Sequence, residues 1–117
     1  MQAPGQLDLT MYQGASWDYV LTWRTGDPAA PVNLTSFTAR MQARESANAD
    51  TTVLSITSGS GIALGGTAGT ITLTRSAAET AAIPAGAYRY DLEVESAAGV
   101  VTRLIEGVLT VSREVTR

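Results

Sequence analysis

The sequence has no cysteine and no histidine, and none of its basic residues is lysine. Without cysteine there are no disulfides and no thiolate metal sites, and the redox compartment leaves no mark. Without histidine the commonest general base and the commonest metal ligand are gone, which removes most active-site designs. All eight basic residues are arginine, at 24, 40, 44, 75, 89, 103, 113 and 117, a usage that reads as coding bias. They are scattered, and the net charge is −3, so a basic footprint for nucleic acid is not expected. No apolar run approaches membrane-spanning length, and Met1–Gly5 does not read as a signal peptide. A soluble chain made in the cytoplasm, with no membrane partner, is the expectation.

What remains is strand-forming sequence. The best-specified stretch is Ala87–Thr110, two runs joined by Ala97-Ala98-Gly99. Tyr88, Tyr90, Leu92 and Val94 alternate with Arg89, Asp91, Glu93 and Glu95, which places an apolar row inward and a charged row outward. In the second run Leu104 and Val108 supply inward positions, with Arg103 opposite Glu93. Val101, Ile105, Leu109 and Val111 break the one-sided pattern, so cover on both faces or a bulge near Gly107 is expected.

Upstream, Met1–Gly5 reads as a loose lead-in, followed by a strand with Leu7, Leu9 and Met11 on one side. Trp17, Tyr19, Leu21 and Trp23 share one face of the next strand, and Phe37, Ala39, Met41 and Ala43 one face of the third. A shorter strand spans Val53–Thr57. Ile62–Leu64 is expected as a brief edge strand, and Thr70–Thr74 as a strand with Ile71 and Leu73 inward. Ser76-Ala77-Ala78-Glu79 has the form of a capping box, predicting one helical turn over Ala77–Ala82. Seven to eight short strands punctuated by glycine and proline, with no βαβ alternation, predict one all-β domain over residues 1–117, a sandwich or small barrel.

Few segments invite chemistry. Gly59–Gly61 and Gly65–Gly69 lack the lysine of a phosphate loop and read as turns. Asp8, Asp18, Asp50 and Asp91 do not have calcium-loop spacing. Glu93 and Glu95 lie on one strand face, where a glycosidase needs carboxylates across a cleft. The aromatic row of Trp17, Tyr19 and Trp23 serves either as core or as a sugar-stacking platform, and core is favoured because it is also the apolar row. No catalytic residue, metal or cofactor is expected. The terminal stretch from Val111 onward reads as a frayed tail or as an edge strand open to a partner; residues 112–117 are its extended part.

The order of these segments resembles small tailed-bacteriophage virion proteins related to the N-terminal domain of the baseplate upper protein family. The likeness rests on LDLTMYQG at 7–14, WDYVLTW at 17–23, PVNLTSFTARMQAR at 31–44, GIALGGTAGTITLT at 61–74 and the final hairpin. The resemblance implies an immunoglobulin-like antiparallel β-sandwich that is not an enzyme and assembles with copies of itself and with other virion proteins. Longer members continue beyond the sandwich, so an adaptor in the tail, baseplate or neck, or at a fibre attachment, is expected rather than a whole fibre. Capsid decoration or a head fibre is the alternative within that class, and a carbohydrate-binding module for host attachment the alternative outside it. The expected contact residues are Val111, Arg113, Glu114, Val115 and Arg117 at the terminal edge, with Asn48 and Asp50 at a loop tip.

Overall fold

The computed structural model, which describes residues 4–116, is organised around the hairpin of β10 (Gly86–Glu95) and β11 (Val101–Ser112). The inward row of β10 is as the alternation predicts: Tyr88, Tyr90, Leu92 and Val94 are all buried. Arg103 stands opposite Glu93. The break in alternation along β11 is a bulge, since Leu92 pairs with Ile105 and Glu93 with Arg103, leaving Leu104 as the extra residue. Leu104 and Ile105 are consequently both buried. The bulge therefore lies at Leu104 and not at Gly107. Gly107 is required for another reason: a Cβ there would stand 2.3 Å from the carbonyl oxygen of Leu7, where the N-terminal segment crosses β11.

That crossing changes the reading of both termini. β1 (Gly5–Gln6) and β2 (Leu9–Tyr12) each pair with β11 in parallel. Between them, Leu7 N–H donates to Glu106 O, and the Asp8 carboxylate accepts from Val108 N–H. The expected lead-in is thus in part a strand, because Gly5 and Gln6 find open donors and acceptors on β11; residues 1–3 lie outside the described residues. By the same pairing β11 has no open edge over Leu109–Ser112, with β10 on one side and β2 on the other. Val111, expected at a terminal edge, is a core residue with 2% of its surface exposed.

From β10 the sheet continues through β6 (Thr38–Arg44), β7 (Leu54–Ser58), β8 (Gly61–Leu64) and β9 (Thr70–Arg75) to β3 (Trp17–Thr22). β7 and β8 meet in parallel over only two residue pairs, across the tight Ser58–Gly61 turn. There the sheet folds over, so that β3, β9 and β8 form one layer and β7, β6, β10, β11 and the N-terminal strands the other. One core holds residues from both: Ile62, Ile71 and Leu73 from the first, Met11, Met41, Ile56, Leu92 and Leu109 from the second. This is an immunoglobulin-like sandwich, with the B-E-D and C-F-G neighbours of that fold in β3-β9-β8 and β6-β10-β11. Ile62–Leu64, expected as an edge, is interior to the path, held by β7 and β9. A separate two-stranded ribbon, β4 (Arg24–Thr25) with β5 (Ala30–Pro31), closes the turn at Gly26–Ala29.

Side-chain hydrogen bonds lock this scaffold. Tyr88 Oη donates to Pro84 O at 2.5 Å, the tyrosine corner of immunoglobulin-like domains. Tyr90 Oη donates to Leu7 O and so ties β10 to the N-terminal crossing. Burial pushes the ionisation of both phenols upward, keeping them as donors. The capping box forms as read, with Ser76 Oγ accepting from Glu79 N–H and the Glu79 carboxylate accepting from Ser76 N–H, at the start of α1 (Ala77–Ala81). Thr80 is fully buried; its hydroxyl accepts from Gly14 N–H at 3.0 Å and donates to Ala15 O at 2.9 Å. One hydroxyl thereby fastens the helix to the β2–β3 turn.

Candidate interaction surface

The outward face of β6, β10 and β11 carries Arg40, Arg44, Arg89, Asp91, Glu93, Glu95, Arg103 and Glu106, and strand register sorts them into rows. Arg89 lies opposite Arg44 on one side and Val108 on the other. Asp91 lies between Gln42 and Glu106, and Glu93 between Arg40 and Arg103. Glu95 closes the series between Thr38 and Val101. Formal charge therefore runs +2, −2, +1, −1 along the strands, counted from these four rows.

Most of these groups satisfy one another. Arg40 holds both glutamates of its neighbour, Nε at 2.9 Å from Glu93 and Nη1 at 3.3 Å from Glu95. These partners push its pKa above the already high arginine value. Arg103 bridges the second row, 3.5 Å from Asp91 and 3.4 Å from Glu106. Glu106 also accepts from Gln6 Nε2 at 2.9 Å, and that bond, then Arg103 and after it the Arg89 charge, lower its pKa. Asp91 goes the other way: partial burial, then the Glu93 charge, outweigh Arg103 and raise its pKa. Exposed pairs of this kind contribute little to folding, a few tenths of a kcal/mol to about 1 each.

The first row is different. Arg44 and Arg89 face one another across antiparallel strands, and among the described residues neither forms an ion pair. Arg44 is positioned by neutral acceptors, Nη1 on Ala49 O at 2.9 Å and Nη2 on Gln42 Oε1 at 3.0 Å. Both arginines line a shallow depression of about 390 Å³ with Gln42, Ala47, Tyr90, Arg103 and the two carboxylates Asp91 and Glu106.

Of the residues expected to make contacts, the exposed ones among the described residues lie toward this end of the sheet. Asn48 and Asp50 are exposed on the β6–β7 loop, whose Ala47 and Ala49 border the depression and hold Arg44. The tail leaves β11 from the same end, since Val111 pairs with Gly86 just before Arg89. Arg113 is exposed and Val115 is 91% exposed, while Arg117 lies outside the described residues. Glu114 is docked rather than free: its N–H donates to Gln13 Oε1, and its carboxylate covers Gly14, whose positive φ and lack of a Cβ leave that space. Sequence reasoning missed Arg44 and Arg89 as a pair. Alternation shows that each points outward, but only the β6–β10 register sets them side by side.

Glu93 and Glu95 share Arg40 on one strand face. The aromatic row faces the core, with Trp17 buried and Tyr19, Leu21 and Trp23 half-buried. Trp17 is buried with its indole N–H on Thr10 O, and Tyr19, Leu21 and Trp23 pack against the core, Trp23 edge-on to Phe37 at 6.3 Å.

No family model and no curated protein matches the sequence. Among solved structures, the chain is similar to one from a photo-crosslinking study of multimeric cell-adhesive interactions of voltage-gated sodium channel (VGSC) beta subunits. The identity is 12%, 99% of this chain and 98% of that one are covered, and the TM-score is 0.46. A second similarity is to extracellular domains 3–5 of Drosophila OTK, at 18% identity and a TM-score of 0.30, covering 97% of this chain and 34% of that one.

Proposed function

We propose that this chain is a non-enzymatic assembly module of a tailed-phage virion that works by protein–protein contact through the outer face of β6, β10 and β11. The observation that carries the contact reading is that face itself. It is broad, held rigid by two hydrogen-bonded strand pairings, rich in arginine, and ends in a cationic row with no carboxylate of its own. Arginine forks on a rigid sheet suit recognition of another protein, since little order must be gained on contact. The virion address rests on the resemblance, and the segments that carry it are scaffold here. In the PVNLTSF stretch Asn33 Oδ1 accepts from Thr35 N–H and Oγ1, and Ser36 takes a positive φ before β6. The terminal part is the β10–β11 hairpin. A tail, baseplate, neck or fibre-attachment position is the preferred address.

The test is immunogold electron microscopy and protein mass spectrometry on purified particles. Labelling confined to the tail or baseplate supports the reading, and labelling over the capsid moves the address to decoration. Particles without the chain overturn it.

A further inference from the structure

Resting on the contact reading above, we infer that Arg44 and Arg89 form the receiving site for a single carboxylate, an acidic side chain presented by a partner polypeptide. Two guanidinium groups facing each other across paired strands repel, and directly opposed like charges destabilise a sheet. The two other arginines on this face are each neutralised by two carboxylates. Arg44 spends two N–H groups on the neutral oxygens of Ala49 and Gln42, which fix its fork without neutralising it. Arg44 is thus held with its charge unpaired, and Arg89 acts on the Glu106 charge without a contact ion pair among the described residues. A carboxylate entering the depression accepts from both forks and removes the repulsion in the same step.

The next row sets the size and charge of the ligand. Asp91 and Glu106, one row away, line the far side of the same depression, and Arg103 already bridges both. A polyanion, whether nucleic acid or a dianionic phosphate, would carry its further charge toward these carboxylates. A monoanion on a neutral backbone does not, and the Gln42 amide at the rim suits the polar backbone around such a side chain. The placement matches a polypeptide partner, with the exposed Asn48–Asp50 loop beside it.

The experiment follows the arginine Nε–Hε resonances of the isotopically labelled full chain by NMR. The probes are acetate, acetamide, inorganic phosphate, and acetyl-Ser-Gly-Glu-Gly-Ser-amide with its Gln counterpart. Acetate and the Glu peptide are expected to shift Arg44 and Arg89 saturably while leaving Arg40 and Arg103 in place. The Gln peptide should bind about three- to ten-fold more weakly, the range for solvent-exposed charge pairs made bidentate. Arg89→Gln should abolish the preference for Glu. Arg89 is exposed and makes no ion pair among the described residues, so this variant is the clean one. Arg44→Gln, which also frees the loop at Ala49, is the second test, and it too should lose the preference for Glu.

Equal shifts at all four arginines would overturn the inference, as would no shift at Arg89. Phosphate binding more tightly than the Glu peptide would reassign the site to a dianion. Arg89-dependent self-association on a dilution series would make a second copy the occupant and overturn the assignment to a different partner. Peptide binding requires no particle, and particle labelling does not depend on Arg89. Failure here and failure of the virion reading are therefore separable.

Discussion

Replacing Thr80 with valine removes one oxygen and keeps the shape, so its effect measures the hydroxyl alone. In the fold that oxygen accepts from Gly14 N–H and donates to Ala15 O, and the residue has no exposed surface. Thr80→Val leaves one backbone donor and one backbone acceptor without a partner. A fully buried orphan of this kind costs about 1–3 kcal/mol. Gly14 is half-buried and Ala15 exposed, so water can reach part of the turn, and each lost bond counts for about 0.75–1.5 kcal/mol, toward the net value of an ordinary hydrogen bond. The expected loss is about 1.5–3 kcal/mol. For a domain of this size it corresponds to about 6–12 °C in Tm, taking about 4 °C per kcal/mol. With a urea m-value of about 1.5 kcal/mol/M it lowers the midpoint by about 1–2 M without changing the slope. Trp17, buried against Thr10, reports the transition by fluorescence. Thr80→Ser is the control, since it keeps the hydroxyl and gives up one buried methyl, about 1 kcal/mol. A valine variant within about 0.5 kcal/mol of wild type would refute the reasoning. A serine variant that loses as much as valine would do the same, because the methyl and not the hydroxyl would then hold the helix to the turn.

Two further perturbations probe the crossing and the capping box. Gly107→Ala drives a Cβ into Leu7 O, with Asp8 Oδ1 only 2.9 Å away, so the N-terminal segment must move off β11. A loss of about 1–3 kcal/mol is expected, with fast hydrogen exchange at Leu7 and Val108 N–H; retained protection at both would contradict the close approach. Glu79 has a lowered pKa, first through the hydrogen bonds with Ser76 and then through Arg75. A carboxylate whose pKa is depressed on folding contributes stability above its unfolded value and loses it as pH falls through the folded one. The gap in urea midpoint between wild type and Glu79→Gln should therefore be full near neutrality and close below about pH 4. A gap that does not change with pH would remove the ionic part of the argument.

The inner rows of the sheet were legible because period-two alternation is a one-strand property. Tyr88, Tyr90, Leu92 and Val94 on β10, and Ala39, Met41 and Ala43 on β6, needed no partner to be assigned inward. The capping box was legible for the same reason, since its donors and acceptors lie within four residues. What depended on distant pairing was not. Nothing local to Gly5–Gln6 announces that it pairs with Ile105–Glu106, a hundred residues away, and once it does, the expected free edge at Val111 is gone. Glu114 was expected as a contact residue at the terminal edge, and only the approach of Gln13 and Gly14 shows where it is docked. The Arg44–Arg89 row was hidden likewise, since each residue is an ordinary outward arginine until the register between β6 and β10 is known.

The two faces of β10 divide the work of the domain. Inward, Tyr88 and Tyr90 carry their hydroxyls past the core to backbone carbonyls at Pro84 and Leu7, so the turn that enters β10 and the N-terminal crossing are pinned to the same strand. Outward, the same strand alternates its side chains into the charged rows, with Arg89 one position from each tyrosine. The outer charges of β10 therefore stand on a strand paired on both sides and tied by two hydroxyls. That bears on affinity. Ordering a loose arginine on contact forfeits about 0.5–1.5 kcal/mol of side-chain freedom, comparable to what an exposed ion pair returns. Arg44, already held by Ala49 O and Gln42 Oε1, has surrendered that freedom on folding. Of the two arginines it is the pre-set half of the fork, and Arg89 is the half that closes. A weak single carboxylate contact of this kind gains strength by repetition, when many copies meet many partners in one array.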